Sequence, residues 1–114
     1  MHTVIETLAY LRAARDEGMT EEEMTDAVDT VSRDPMAGDL VVGGGGCRKI
    51  RIAGKGRGKS GGYRVLTYHA DEVTPVFLLT VLSKGTKANF SKAQVALLSR
   101  ATKTLKASLT GGKG

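Results

Sequence analysis

Residues 47–68 constrain the fold of this chain more than any other stretch, and they read CRKIRIAGKGRGKSGGYRVLTY. They include seven basic side chains and no acidic one, and a glycine-rich segment separates two runs typical of β-strands. The segment GKGRGKSGG is longer than a tight two-residue turn, yet it allows the chain to return antiparallel. The stretch therefore predicts a basic hairpin, and the partner of such a surface should be polyanionic.

Strand geometry predicts where the cations of this basic hairpin lie. Side chains alternate between the two faces of a strand, so Lys49 and Arg51 should share one face. Arg64 begins the second strand and should lie close to both. The loop between the strands carries three further cations: Lys55, Arg57 and Lys59. These suit either phosphate contacts with little sequence information or an ordinary solvated hairpin tip.

The charge of the chain is divided between its two halves. Residues 1–39 hold ten acidic and three basic side chains, whereas residues 40–114 hold two acidic and fourteen basic ones. The two parts carry −7 and +12, which sum to the net charge of +5. We therefore expect the folded chain to present separate acidic and basic patches.

Length and composition predict one small domain over residues 1–110, followed by a disordered tail at residues 111–114. No apolar run is long enough to span a bilayer, and no secretory signal begins the chain, so we expect a cytoplasmic protein. The single cysteine, Cys47, cannot form an intrachain disulfide. No spacing of cysteines and histidines indicates zinc, so the sequence predicts neither a metal nor another cofactor.

Local patterns in the first third predict a short strand at residues 3–7 and a helix at residues 8–17, which Gly18 would cap. Thr20 and Glu23 have capping-box spacing at the start of a second helix. That helix should end near Asp34, because Pro35 disfavours helical geometry in the residue before it. The acidic residues at 21–23 are interpreted as capping residues rather than catalytic carboxylates.

The remainder of the chain predicts a sheet and a final helix. Residues 35–46 form a connector, and its glycine run at 43–46 is interpreted as a flexible lead into the sheet rather than a phosphate-binding loop. Strands at 48–53, 63–69 and 76–83 should form an antiparallel meander. A capping pattern at Ser91 and Gln94 begins the last helix. The fold class is therefore α+β, with the order β-α-α-β-β-β-α and the N-terminal helices packed on a twisted antiparallel sheet.

Three motifs in this order resemble the RelE superfamily of bacterial toxins, and most closely its HigB-type branch. They are RKIR, the loop GKGRGKSGGYR, and the apolar strand that leads to SKGTKANFS. The resemblance covers roughly residues 3–106. It implies a small RelE-like fold and a ribosome-dependent mRNA endonuclease that inhibits translation without a metal. It also implies a cognate antitoxin, which in this branch is commonly a helix-turn-helix protein that binds operator DNA.

The resemblance also implies site residues. Basic residues of the family's active site match four positions: Lys49, Arg51, Arg64 and Lys84. From the basic surface together with this resemblance, we expect six other residues to contact RNA or the ribosome: Arg48, Lys55, Arg57, Lys59, Lys87 and Phe90. Phe90 stands where some relatives carry a tyrosine, so it can stack on a base or belong to the core, but it cannot transfer a proton. Lys84 stands where some relatives carry an arginine, which keeps the charge and loses the bidentate geometry.

Two other functions remain open from the sequence. A ParE-like toxin with the same fold would poison DNA gyrase without cutting nucleic acid. A non-catalytic RNA-binding module would keep the basic surface and lack the reaction. Of the two histidines, His69 is interpreted as a structural residue and His2 as part of a frayed terminus. Neither belongs to a nucleophile motif.

Overall fold

A computed structural model describes residues 2–53, 62–83 and 92–111. Over these ranges the chain forms eight helices and strands, named here in chain order. They are β1 (Val4–Glu6), α1 (Leu8–Asp16), α2 (Glu21–Arg33), β2 (Asp39–Leu40), β3 (Arg48–Ala53), β4 (Gly62–His69), β5 (Val76–Ser83) and α3 (Lys92–Gly111). The predicted α+β class is confirmed, and the predicted bounds of β3 and β5 match the structure.

The five strands form one sheet in the order β1-β5-β4-β3-β2. The predicted meander of β3, β4 and β5 is antiparallel throughout. The sheet as a whole is mixed, because β1 pairs parallel with β5. The structure also adds β2, a two-residue strand within the predicted connector, which pairs antiparallel with the start of β3.

Helices α1 and α2 begin and end where the sequence patterns predict. The Thr20 hydroxyl accepts a 3.1 Å hydrogen bond from the Glu23 backbone N–H, and the Glu23 carboxylate accepts a 2.7 Å bond from the Thr20 N–H. This capping box satisfies donors that the first turn of a helix otherwise leaves unpaired. Gly18 follows α1 with φ +79°, a left-handed conformation that glycine adopts without a Cβ clash.

One face of the sheet packs against α1 and α2. Ile50, Ile52 and Val65 point from β3 and β4 into a cluster with residues of both helices, Tyr10 and Val31 among them. These side chains are at most 5 % exposed, so this cluster is the main core. The alternation of Ile50, Arg51 and Ile52 along β3 therefore directs the arginine to the opposite face.

The opposite face of the sheet carries a smaller core under α3. Val41, Cys47 and Leu66 are buried there, and Val95 and Leu98 of α3 pack against them. Thr102 of the same helix is also buried, at 1 % exposure. The N-terminal half of α3 thus covers part of the face on which Arg51 lies.

The glycine run at residues 43–46 supports α3. This role differs from the one interpreted from the sequence, a flexible lead into the sheet. The Gly44 N–H donates to the Val41 carbonyl at 2.9 Å, and Gly45 has φ +72°. A Cβ at Gly45 would collide with Oγ1 of Thr102, and one at Gly43 would approach Val95. The absence of side chains therefore lets the helix lie directly on the loop backbone, where Thr102 Oγ1 is 3.4 Å from the Gly44 carbonyl.

Some predictions fall outside the described residues or stay untested. Ser91 and residues 112–114 lie outside the described residues, while Gly111, predicted to belong to the tail, is the last residue of α3. The single domain over residues 1–110 stays a prediction. Within the described ranges, no helix has the length and apolar character needed to cross a membrane.

The contact between the glycine run and α3 predicts a specific effect of Gly45→Ala. Left-handed geometry costs a non-glycine residue about 1–2 kcal/mol, and the collision with Thr102 adds to that cost. Gly18→Ala is the matched control, because Gly18 has φ +79° and a Cβ at this position would have no atom within 4 Å. We expect thermal unfolding to show the larger loss for Gly45→Ala, with faster amide hydrogen exchange in α3 for that variant alone. Equal effects of the two substitutions would contradict the contact.

The buried Tyr10 side chain predicts a loss of stability in alkaline solution. Burial, with a smaller effect from Glu6, raises the pKa of Tyr10 from 10.0 to about 12. The folded state therefore resists ionisation, and the free energy of unfolding should fall as pH rises from about 10 to about 12. No hydrogen bond from the described residues reaches the Tyr10 hydroxyl.

Tyr10→Phe should remove this part of the pH dependence. It should leave stability near neutral pH unchanged or higher, because an unpaired buried hydroxyl costs about 1–3 kcal/mol. Urea unfolding at about pH 7 and about pH 11 measures both effects. Burial also raises the pKa of Cys47 from 9.0 to about 11. The variant should therefore keep the part of the alkaline loss of stability that comes from this thiol, and its total loss should be smaller than that of the wild type. A variant with the full wild-type pH dependence would contradict the assignment to Tyr10.

Candidate nucleic-acid interface and cation cleft

The register of β3 and β4 brings together three of the predicted site residues. Arg51 lies directly opposite Arg64, and Lys49 lies opposite Leu66, which is buried under α3. Residues opposite one another in an antiparallel pair point to the same face and have Cβ atoms about 4.5–5.5 Å apart. Lys49 and Arg64 are diagonal neighbours, about 7–8 Å apart. The prediction that Arg64 lies near Lys49 and Arg51 on one face is confirmed.

These three cations line a concave surface of about 370 Å³, which we call the cation cleft. Its walls are formed by Gly38, Asp39, Lys49, Ile50, Arg51 and Arg64. Arg51 is exposed, while Lys49 and Arg64 are half-buried, so the charged groups lie on strands and still reach solvent. A cleft of this charge and accessibility can bind a phosphodiester, because arginine presents a planar fork to two phosphate oxygens.

The sheet separates the cation cleft from most of the acidic side chains, although Arg51 also lines a second pocket with Asp26 and Asp29 of α2. Helices α1 and α2, which include most of the ten acidic residues in positions 1–39, pack on the other face through Ile50 and Val65. The cleft and α3 lie on the face away from these helices, and α3 contains four basic residues and no acidic one. The predicted division of charge therefore corresponds largely to two sides of the molecule. A polyanion should be attracted mainly to the side of the cleft and α3.

Arg48 has a structural contact in addition to its predicted role in RNA binding. Its Nη1 donates a 3.0 Å hydrogen bond to the Gly38 carbonyl, immediately before β2. Gly38 has φ +89°, and a Cβ there would collide with the Lys49 carbonyl oxygen. Arg48 and Gly38 together hold the corner of the chain that leads into the cation cleft.

Asp39 is a residue of the cleft that the sequence interpretation missed. The prediction treated it as part of a connector, whereas the structure places it in β2 directly opposite Lys49. Its exposed side chain therefore lies on the cleft face, and it is also a diagonal neighbour of Arg51. The run Asp39-Leu40-Val41-Val42 after a glycine was the available indication of a short strand.

Six of the predicted site residues lie outside the described residues. Three belong to the hairpin loop and three to the segment after β5: Lys55, Arg57, Lys59, Lys84, Lys87 and Phe90. In sequence, the first segment connects β3, which ends at Ala53, to β4, which begins at Gly62, and the second follows Ser83 at the end of β5. Their predicted roles therefore stay predictions.

Other groups with acid–base or nucleophilic chemistry lie away from the cleft or are buried. His69 is five residues along β4 from Arg64, about 17 Å of strand, and its ring contacts that of His2 at 5.3 Å. Cys47 is fully buried, and burial raises its pKa to about 11, so its thiol is a poor nucleophile. Within the described part of the chain, no group of three or more metal-binding side chains is assembled.

A comparison with protein-family models identifies the group to which this chain belongs. The model for the RelE toxin of the RelE / RelB toxin–antitoxin system matches residues 2–111. The chain belongs to the RelE toxin family. This match confirms the family part of the resemblance. A RelE-family toxin has a cognate antitoxin as its partner. The described cleft lies on the basic hairpin of this toxin.

Proposed function

We propose that this RelE-family toxin is a ribosome-dependent mRNA endonuclease that inhibits translation. The observation that supports this most directly is the meeting of Lys49, Arg51 and Arg64 on one accessible strand surface. Cleavage of RNA by its own 2′-hydroxyl requires an in-line phosphate and stabilisation of the charge that develops on it. Fixed cations on paired strands meet both requirements, because the register determines their separation.

Each cation can be given a role in that reaction. We assign Arg64 to the scissile phosphate, and the register supports this because Arg64 lies opposite Arg51 and diagonal to Lys49. Lys49 and Arg51, both on β3, would orient the phosphate from their side and assist proton transfer. We assign Lys84 to the leaving 5′-oxygen, because it follows the last residue of β5, and Ser83 of β5 pairs with Tyr63 next to Arg64.

The remaining predicted residues would contact the substrate complex. Lys55, Arg57 and Lys59 belong to the hairpin loop, where cations can meet ribosomal RNA phosphates without reading sequence. Lys87 and Phe90 would contact the message, and the Phe90 ring can stack on a base. Within the family we assign the chain to the HigB-type branch, in which the antitoxin is a helix-turn-helix protein that binds operator DNA. The reaction itself would take place in the cytoplasm.

Arg64→Ala should abolish cleavage while leaving the fold and most of the ribosome affinity intact. Loss of one group that stabilises transition-state charge costs about 10²–10³-fold in rate. The measurement is mapping of mRNA 5′ ends after a short pulse of each protein in translating cells. Arg12→Ala is the matched control, because it removes an equal charge from an exposed position of α1, the helix on the other face of the sheet.

The outcomes distinguish the proposed function from the two alternatives. Cuts at a fixed codon phase with wild type and Arg12→Ala, but not with Arg64→Ala, are the expected result. Growth arrest without cuts, accompanied by DNA damage, would instead establish a ParE-like gyrase poison. Ribosome binding without cuts or arrest would establish a non-catalytic RNA-binding module.

A further inference from the structure

The cation cleft contains one carboxylate, and its position is determined by the fold. Asp39 pairs with Lys49 across β2 and β3, so its Cβ lies about 4.5–5.5 Å from that of Lys49 and about 7–8 Å from that of Arg51. Asp39 lines the same 370 Å³ cleft as these two residues and Arg64. No hydrogen bond to the Asp39 carboxylate comes from the described residues, and its side chain is exposed to solvent.

Two features outside the side chain itself keep Asp39 at this place. Gly38 brings the backbone so close to β3 that any Cβ at this position would collide with the Lys49 carbonyl oxygen. The Arg48 guanidinium binds the Gly38 carbonyl at 3.0 Å and holds the same corner from the side. A two-residue strand alone would be a weak support. With these contacts, the backbone of Asp39 has a defined position beside Lys49, and its side chain lines the cleft from there.

We infer that Asp39 is the general base of this toxin, the group that accepts the proton of the ribose 2′-hydroxyl. The inference rests on the proposed RNA cleavage and deepens it by naming the group that accepts the proton, while the neighbouring cations orient the phosphate. Arginine has no acceptor and stays protonated, whereas an ionised carboxylate accepts hydrogen bonds and donates none. Among the described residues that line the cleft, Asp39 has the only carboxylate, whereas a protonated lysine must first lose a proton before it can accept one.

The proposed step balances in protons and bonds. A carboxylate oxygen of Asp39 takes the 2′-hydroxyl proton while the 2′-oxygen forms a bond to phosphorus. The bond between phosphorus and the 5′-oxygen breaks, its electron pair stays on that oxygen, and a water molecule supplies the proton that completes the 5′-hydroxyl. The products are a 2′,3′-cyclic phosphate and a 5′-hydroxyl, and Asp39 then returns its proton to solvent. Arg64 and Arg51 stabilise the charge on the two non-bridging oxygens.

The test measures single-turnover cleavage of mRNA on programmed ribosomes by wild-type toxin, Asp39→Asn and Asp39→Ala. A general base typically contributes about 10²–10⁴-fold, and we expect a loss of this size in the cleavage rate. Ribosome affinity should change by less than about threefold, since the exposed carboxylate adds no attraction for RNA. Asp16→Asn is the matched control, because it removes an equally exposed carboxylate from the end of α1 and should cleave like wild type.

Chemical rescue tests the proton-accepting role directly. Formate should restore part of the cleavage rate of Asp39→Ala, in proportion to its concentration, because it can occupy the position of the missing carboxylate. It should not restore Arg64→Ala. The rate of Asp39→Asn should also rise steadily with pH, since hydroxide then removes the proton. A residue that only supports the fold would show neither effect.

A third variant tests the positioning by Gly38. Gly38→Ala should displace β2 from Lys49 and lower the cleavage rate, whereas Gly18→Ala has the same left-handed backbone strain and no neighbouring atom to displace. Both proteins should bind ribosomes. Thermal unfolding of each variant separates a loss of stability from a loss of geometry.

The results distinguish failure of this inference from failure of the proposed function. Cleavage by Asp39→Asn within about threefold of wild type, with Arg64→Ala inactive, would overturn the assignment of Asp39 and leave the endonuclease intact. A loss that formate and higher pH do not relieve would assign Asp39 to structure instead of proton transfer. No cleavage by the wild-type toxin would overturn the endonuclease and the base together.

Discussion

The pairing register of β3 and β4 is the constraint on which both the core and the cation cleft depend. Side chains alternate along a strand, so a slip of one residue would exchange the faces of Arg51 and Ile50. The cation would then enter the core that Val65 forms with α1 and α2, where an unpaired charge is very costly. Burial of the isoleucines therefore enforces the position of the arginines, and a stable hairpin necessarily displays its cations on the other face.

That register also opposes two like charges. Arg51 and Arg64 are direct cross-strand partners, an arrangement that destabilises a sheet in the absence of an anion. The apolar contacts of β3 with α1 and α2 offset this repulsion, since they lie on the opposite face and do not depend on charge. A bound phosphate would turn the repulsion into attraction for both side chains. The cleft is thus more favourable with a polyanion than without one, which is the property expected of a binding site.

Sequence patterns predicted the parts of this fold that depend on local chemistry. The capping box at Thr20, the left-handed Gly18 and the alternation along β3 each involve neighbouring residues, and all were confirmed. The glycine run and β2 depend on contacts between distant segments, such as Gly45 with Thr102 across 57 positions of the chain. Periodicity contains no information about such contacts. The cations of the cleft were therefore predictable, whereas its carboxylate was not.

Asp39 also explains why the charge of this chain is arranged as it is. It is the last residue of the acidic half, and Lys49 is among the first cations of the basic half, so the two halves meet in the β2–β3 pair. Elsewhere the helices that hold most of the acidic residues pack on the face opposite the cleft, although Asp26 and Asp29 of α2 line a second pocket with Arg51. One carboxylate among several cations leaves the cleft net positive and still provides an acceptor for a proton. The RNA cleavage that we propose would require both properties, binding of a polyanion and removal of its 2′-hydroxyl proton, and the pairing of Asp39 with Lys49 brings the two kinds of group together.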